Sequence, residues 1–120
     1  MLLHDCPGSP NCAQSYKKDG IFVSPLIVSE DPVKRKEAWM KLKMIIKSMP
    51  RATLINETDN YLKFEFRSKF FEFVDDVEFL LDEDENHIHM RSASRSGYYD
   101  FGVNKRRLEK ITAEFIQRSD

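Results

Sequence analysis

The clearest pattern in the chain runs from Tyr61 to Arg67, where Leu62, Phe64 and Phe66 alternate with Tyr61, Lys63, Glu65 and Arg67. One apolar and one polar face is what a strand covered on one side only requires. Thr53-Leu54-Ile55, separated from it by turn residues Glu57 to Asn60, predicts a hairpin partner. Further on, Phe71, Phe73, Val77, Phe79 and Leu81 are all odd-numbered, which in an unbroken strand puts them on one face with Asp75 among them. The acidic tip Asp82-Glu83-Asp84-Glu85-Asn86 then turns the chain into His87 to Arg91, with Ile88 and Met90 inward. The short connections predict a four-stranded antiparallel meander.

Helical spacing flanks this block. Asp31-Pro32 supplies an N-cap followed by proline at the first helical position, and Pro50 closes the segment, so a helix of about 18 residues is predicted between them. Ala38, Trp39, Leu42, Ile45, Ile46 and Met49 fall on one arc, with Lys36, Lys43 and Lys47 outside it. Met40 and Met44 lie away from that arc; the Cys6 to Tyr16 arm lying over them is one cover, and a small contact patch is the other reading. Asn104 reads as the N-cap of a last helix carrying Leu108, Ile111, Phe115 and Ile116. Ile21 to Val28 contains Pro25, which restricts it to a short edge strand or extended arm. The predicted order is β-α-β-β-β-β-α. This is an α+β two-layer sandwich, a four-stranded antiparallel meander with an N-terminal extended arm or edge strand and two helices on one face. Residues 1–120 read as a single domain, with a cysteine-containing arm over 1–20 and an α+β core over 21–118.

Composition agrees with one core: 120 residues, 41% hydrophobic and 12% aromatic. The net charge of −1 gives no overall field toward nucleic acid or an anionic membrane, although the charge is uneven along the chain. Lys34 to Arg51 holds seven basic residues against Glu37 alone, whereas Phe71 to Asn86 holds eight acidic residues and no basic one. No nucleic-acid-reading motif accompanies the lysines, so nucleic acid is not an expected partner. No run approaches the roughly 20 apolar residues of a membrane span. Met1 to Leu3 is too short for an export signal, which predicts a cytoplasmic protein as the sequence stands; a cell-envelope or exported location is the alternative if a leader precedes it.

Cys6 and Cys12 bracket Pro7, Gly8, Ser9, Pro10 and Asn11, a loop that bends back on itself, so a local disulfide is sterically allowed. Two free thiols are the other reading. A metal site would need further ligands, and His4, His87 and His89 show no zinc-type spacing. His87-x-His89 places two imidazoles on one strand face, but no third ligand is evident in the sequence, and no metal or cofactor is expected.

Polar chemistry concentrates between Arg91 and Arg107. Arg91, Arg95, Asn104 and Arg107 combine guanidinium groups with a helix start, a combination suited to a small anion. The structural alternative begins from Asp75, which alternation places on the apolar face, where a carboxylate needs a cation; Arg91 or Arg95 would be its partner. Asp75, Asp76 and Asp100 are candidates for such a buried polar network. No nucleophile elbow, phosphate loop, dinucleotide fingerprint or His-Glu-x-x-His helix occurs, and adjacent Asp75 and Asp76 point to opposite strand faces.

Three blocks, Cys6 to Cys12, Phe73 to Phe79, and Arg91 to Gly97 continuing into Asp100 to Arg107, resemble the signature blocks of the family known as domain of unknown function 1499. The resemblance spans nearly the whole chain. It implies no particular activity; relatives that are exported or organelle-targeted would suit a Cys6–Cys12 bridge. The expected function is a non-catalytic binding or interaction module, partnered by a protein or a small anionic ligand at the Arg91 to Arg107 loop. An unconventional enzyme acting on an anionic small molecule is the alternative.

Overall fold

The computed structural model describes residues 3–8, 10–18, 20–70, 73–97 and 100–118. Their elements are β1 (Cys12–Gln14), β2 (Leu26–Ile27), α1 (Pro32–Lys47), β3 (Ala52–Glu57), β4 (Tyr61–Arg67), β5 (Val74–Asp82), β6 (His87–Ser94) and α2 (Val103–Gln117). The meander β3 to β6 is present as predicted. The sheet nevertheless has six strands, in the order β1-β6-β5-β4-β3 with β2 also on β6, all named strands pairing antiparallel. The N-terminal arm is therefore part of the sheet: Cys12 pairs with Ala93 and Gln14 with Arg91, while Leu26 pairs with Ile88. Pro25 stands just before β2, so its missing N–H costs the ladder nothing.

Period-two patterning sets the register. Val77 lies between Phe64 and Ser92, and Phe79 between Leu62 and Met90, so the apolar positions of three strands coincide on one face. Phe64 and Phe79 meet edge to face at 6.4 Å. Trp39, Leu42, Ile45 and Ile46 of α1, with Leu108, Ile111 and Phe115 of α2, bury against that face. Asp31 caps α1, its side chain accepting the Val33 N–H, and Ser48 ends the helix two residues before Pro50. The helix is 16 residues long because the chain must already turn at Ser48 to enter β3.

Three local expectations are corrected. Met40 and Met44 stay exposed, and Cys12 to Gln14 of the arm pair along β6. Phe73 precedes β5 and is 60% exposed, so it does not join the apolar face; Phe71 lies outside the described residues. Asn104 is not the N-cap of α2. Gly102, at φ 78°, holds that position, and Asp100 does the capping work by accepting the N–H groups of Gly102 and Asn104 at 2.8 and 3.1 Å.

Candidate functional site

Strand alternation sorts the predicted site residues onto two sides of the sheet. On the helical side, Asp75 faces Phe66 and Ser94 in register. Its partner is Arg107 of α2, Nη1 to Oδ2 at 2.8 Å, with both side chains largely buried. The guanidinium also lies 4.8 Å from the Phe66 ring centroid, so one cation is held by a carboxylate and an aromatic face together. Neither Arg91 nor Arg95 reaches Asp75. Both occupy odd positions following inward-facing Ile88 and Met90, which directs them to the opposite side of the sheet.

Asn104 is fully buried beside this pair. Its amide nitrogen is within bonding distance of the Asn11 carbonyl, Ser94 Oγ and Asp100 Oδ2, and its amide oxygen accepts from Ser92 Oγ at 2.6 Å and Arg107 Nη1 at 2.9 Å. One side chain thus ties β1, β6, the loop before α2 and α2 itself. Burial works to raise the Asp100 pKa, but hydrogen bonds from the Asn104 side chain and from the Gly102 and Asn104 amides outweigh it, holding the carboxyl below its ordinary value.

On the outer face, Arg95 grips Asp76 through two hydrogen bonds of 2.9 Å and also reaches Glu65. Lys63 stands 3.8 Å from Asp76, and Arg67 stands 3.5 Å from Glu65, completing an exposed chain of alternating charge. Arg91 donates to Glu78 at 3.3 Å, and the Tyr61 hydroxyl donates to the same carboxylate. Burial, reinforced by Glu78, pushes the Tyr61 phenol well above its ordinary pKa. Tyr61 and Glu78 are buried although alternation points them away from the helices, so this face is partly covered.

A cleft of about 640 Å³ opens between the end of the β4–β5 pair and the start of α2. The Asp75–Arg107 pair lines it, with Phe66, Phe73, Phe101 and Val103 supplying apolar wall and Arg51 and Arg67 adding cations. Phe101 is 76% exposed. Arg51 and Phe101 both adopt left-handed backbone, at φ 62° and 56°, a conformation that side-chain-bearing residues other than Asn and Asp seldom take. Two such residues therefore border one cleft. The sequence reading missed Arg51, Phe73 and Phe101; an aromatic residue preceding Gly102 in a loop already rich in polar residues was the available signal for Phe101.

Cys6 and Cys12 form a disulfide with Cα atoms 5.6 Å apart, fastening the arm to the first residue of β1. Among the described residues no helix is long and apolar enough to cross a membrane.

The fold and cleft define a small α+β protein with a single helical layer on an antiparallel sheet. The chain belongs to the family described as protein of unknown function (DUF1499), whose model matches residues 2–115. No curated protein and no solved structure matches it.

Proposed function

We propose that this protein is a non-catalytic binding module whose ligand is a small organic anion with an apolar body, held in the cleft between the β4–β5 end and α2. The observation that carries this reading is the pairing of aromatic walls with cations at one opening: Phe73 and Phe101 beside Arg51, Arg67 and Arg107. Both carboxylates that line the cleft are already engaged, Asp75 by Arg107 and Asp100 by amide donors. The hydrogen bonds and ion pair of Arg107 to described residues run through Nη1 and its face rests on Phe66, so the Nη2 and Nε edge is the part offered to an anion. A carboxyl depressed below its ordinary pKa is a poor general acid or base near neutrality, which favours binding over the enzymatic alternative at Asp100.

Arg91 and Arg95 enter this reading as scaffold of the outer face, and Asn104 as the residue that holds Arg107 in place. The Cys6–Cys12 bridge supports a cell-envelope or exported setting over a cytoplasmic one, because such bonds persist in oxidising compartments.

Anilinonaphthalene sulfonate, an aromatic anion, is the probe that tests the cleft. Amide shift mapping is expected to place it against Gly97, Phe101, Val103 and Arg107, with Phe101→Ala and Arg51→Glu each weakening it about tenfold, the equivalent of ~1.4 kcal/mol. Shifts mapping to another surface, or affinity indifferent to both variants, would overturn the assignment.

A further inference from the structure

We propose that Glu85, His87 and His89 form a binding site for a divalent first-row transition ion of the zinc class, independent of the cleft described above. A ring nitrogen from each histidine and a Glu85 carboxylate oxygen all lie within 4.8 Å of one another. The histidines alternate onto the outer face of β6, their rings 5.9 Å apart and nearly perpendicular. The third ligand, absent from any spacing rule, comes from the turn. Asp82 Oδ1 accepts the amides of Asp84 and Glu85 at 3.0 and 3.2 Å, which folds the turn back and sets Glu85 beside the imidazoles.

The spacing between Glu85 and His89 is informative. Glu85 Oε1 and His89 Nε2 stand 4.0 Å apart, too far for a direct hydrogen bond. Two ligand bonds of about 2.0 to 2.2 Å to a shared zinc-class ion span that gap after a small closing movement of Glu85. His89 is also oriented from behind. Ser15 is buried, its Oγ accepts the Met90 N–H at 2.7 Å, and it lies 3.1 Å from His89 Nδ1. With Nδ1–H donating to that oxygen, the Nε2 lone pair is directed toward Glu85, the arrangement in which an outer hydroxyl fixes the tautomer of a metal-bound imidazole. Tyr16 packs against the same ring edge to face at 6.3 Å.

Charge and ligand type narrow the ion. The acidic residues Asp82 to Glu85, of which Glu83 is paired with Arg35, outnumber the arm lysines Lys17 and Lys18 that line the adjoining cleft, and Lys17 is paired with Asp5 at 2.8 Å. Two imidazoles with one carboxylate select zinc, copper, nickel or iron over magnesium and calcium, which take oxygen ligands. Three protein ligands leave coordination positions open toward a cleft of about 620 Å³ whose lining includes Tyr16, Phe22, Pro25 and Leu80.

The test is zinc titration of the chelator-treated full chain, disulfide intact, by competition with a chromophoric chelator. One equivalent is expected to bind, unaffected by millimolar magnesium, with His87→Ala and His89→Ala each weakening binding tenfold or more. Glu85→Gln and Ser15→Ala should weaken it less, and His4→Ala should leave it unchanged. Binding by His87→Ala/His89→Ala as tight as by the wild type, or loss on His4→Ala alone, would overturn the site. Should the Ser15 or His89 variant fail to fold, ring-nitrogen NMR of the wild type decides: shifts at His87 and His89 on adding zinc support the proposal, and shifts at His4 alone or at no ring refute it.

Discussion

Arg107 reaches Asp75 across the junction between α2 and the sheet, with Nη1 2.8 Å from Oδ2 and neither side chain more than 15% exposed. Removing either partner leaves the other's charge largely buried and unopposed. Asp75→Ala and Arg107→Ala are each expected to destabilise the fold by about 3 kcal/mol or more in urea unfolding, while Asp75→Leu/Arg107→Leu should lose far less than the two single losses together. Unchanged stability in Asp75→Ala would remove the ion pair from the account of the fold.

Asn104 offers a separate handle. Asn104→Ala removes the amide donor to the Asn11 carbonyl and the acceptor of the Ser92 hydroxyl inside the core, and is expected to lose about 2 kcal/mol. Asn104→Asp instead sets a second carboxylate against Asp100, so its stability should fall more steeply as pH rises above the ordinary carboxyl range. Chemical denaturation at pH 4 and pH 7 distinguishes the two variants.

The Asp100 carboxyl titrates below its unfolded value of 3.8. The native state therefore binds this proton less readily than the unfolded chain. Its contribution is complete above the unfolded value and is lost as pH falls through the lower native one. Asp100→Asn should flatten the acid limb of the stability curve, measured by urea unfolding from pH 5 downward; an identical limb would show that other carboxyls dominate.

Cleavage of the Cys6–Cys12 bond opens a short loop, so Cys6→Ser/Cys12→Ser is expected to cost at most about 2 kcal/mol. The effect should be local. Hydrogen exchange is expected to quicken at Ser94, whose amide donates to the Asn11 carbonyl at 3.0 Å, and to stay slow at Phe64 in the centre of the sheet.

Much of this was legible in the residues. The alternation around Phe64 and Phe79 specifies which face is buried, and Asp31-Pro32 marks the start of α1. Asp75 on the apolar side is readable too, and the alternation that sends Ile88 and Met90 inward already turns Arg91 and Arg95 outward, against the expectation that one of them would meet it. The identity of its partner is not, because Arg107 meets Asp75 through the docking of α2, a tertiary relationship that no strand or helix period encodes. The same limit hid Glu85. Its approach to His87 and His89 depends on how the Asp82 side chain folds the turn, which spacing along β6 does not express. The strand character of Cys12 to Gln14 escaped because three residues are too few for any period to emerge.

Strand β6 is paired along both sides, by β5 on one and by β1 and β2 in succession on the other. A chain that threaded only its meander would leave the amides of β6 as a template for a neighbouring molecule, the usual route to edge-to-edge aggregation. The two short segments close that route. The opposite margin, β3, is blunted differently: its ladder is broken by a bulge between Leu54 and Asn56, and Glu57 at its end is occupied by Lys43. The arm and its disulfide thus act as a guard on self-association, so that loosening them would first be felt as a loss of colloidal stability at high protein concentration.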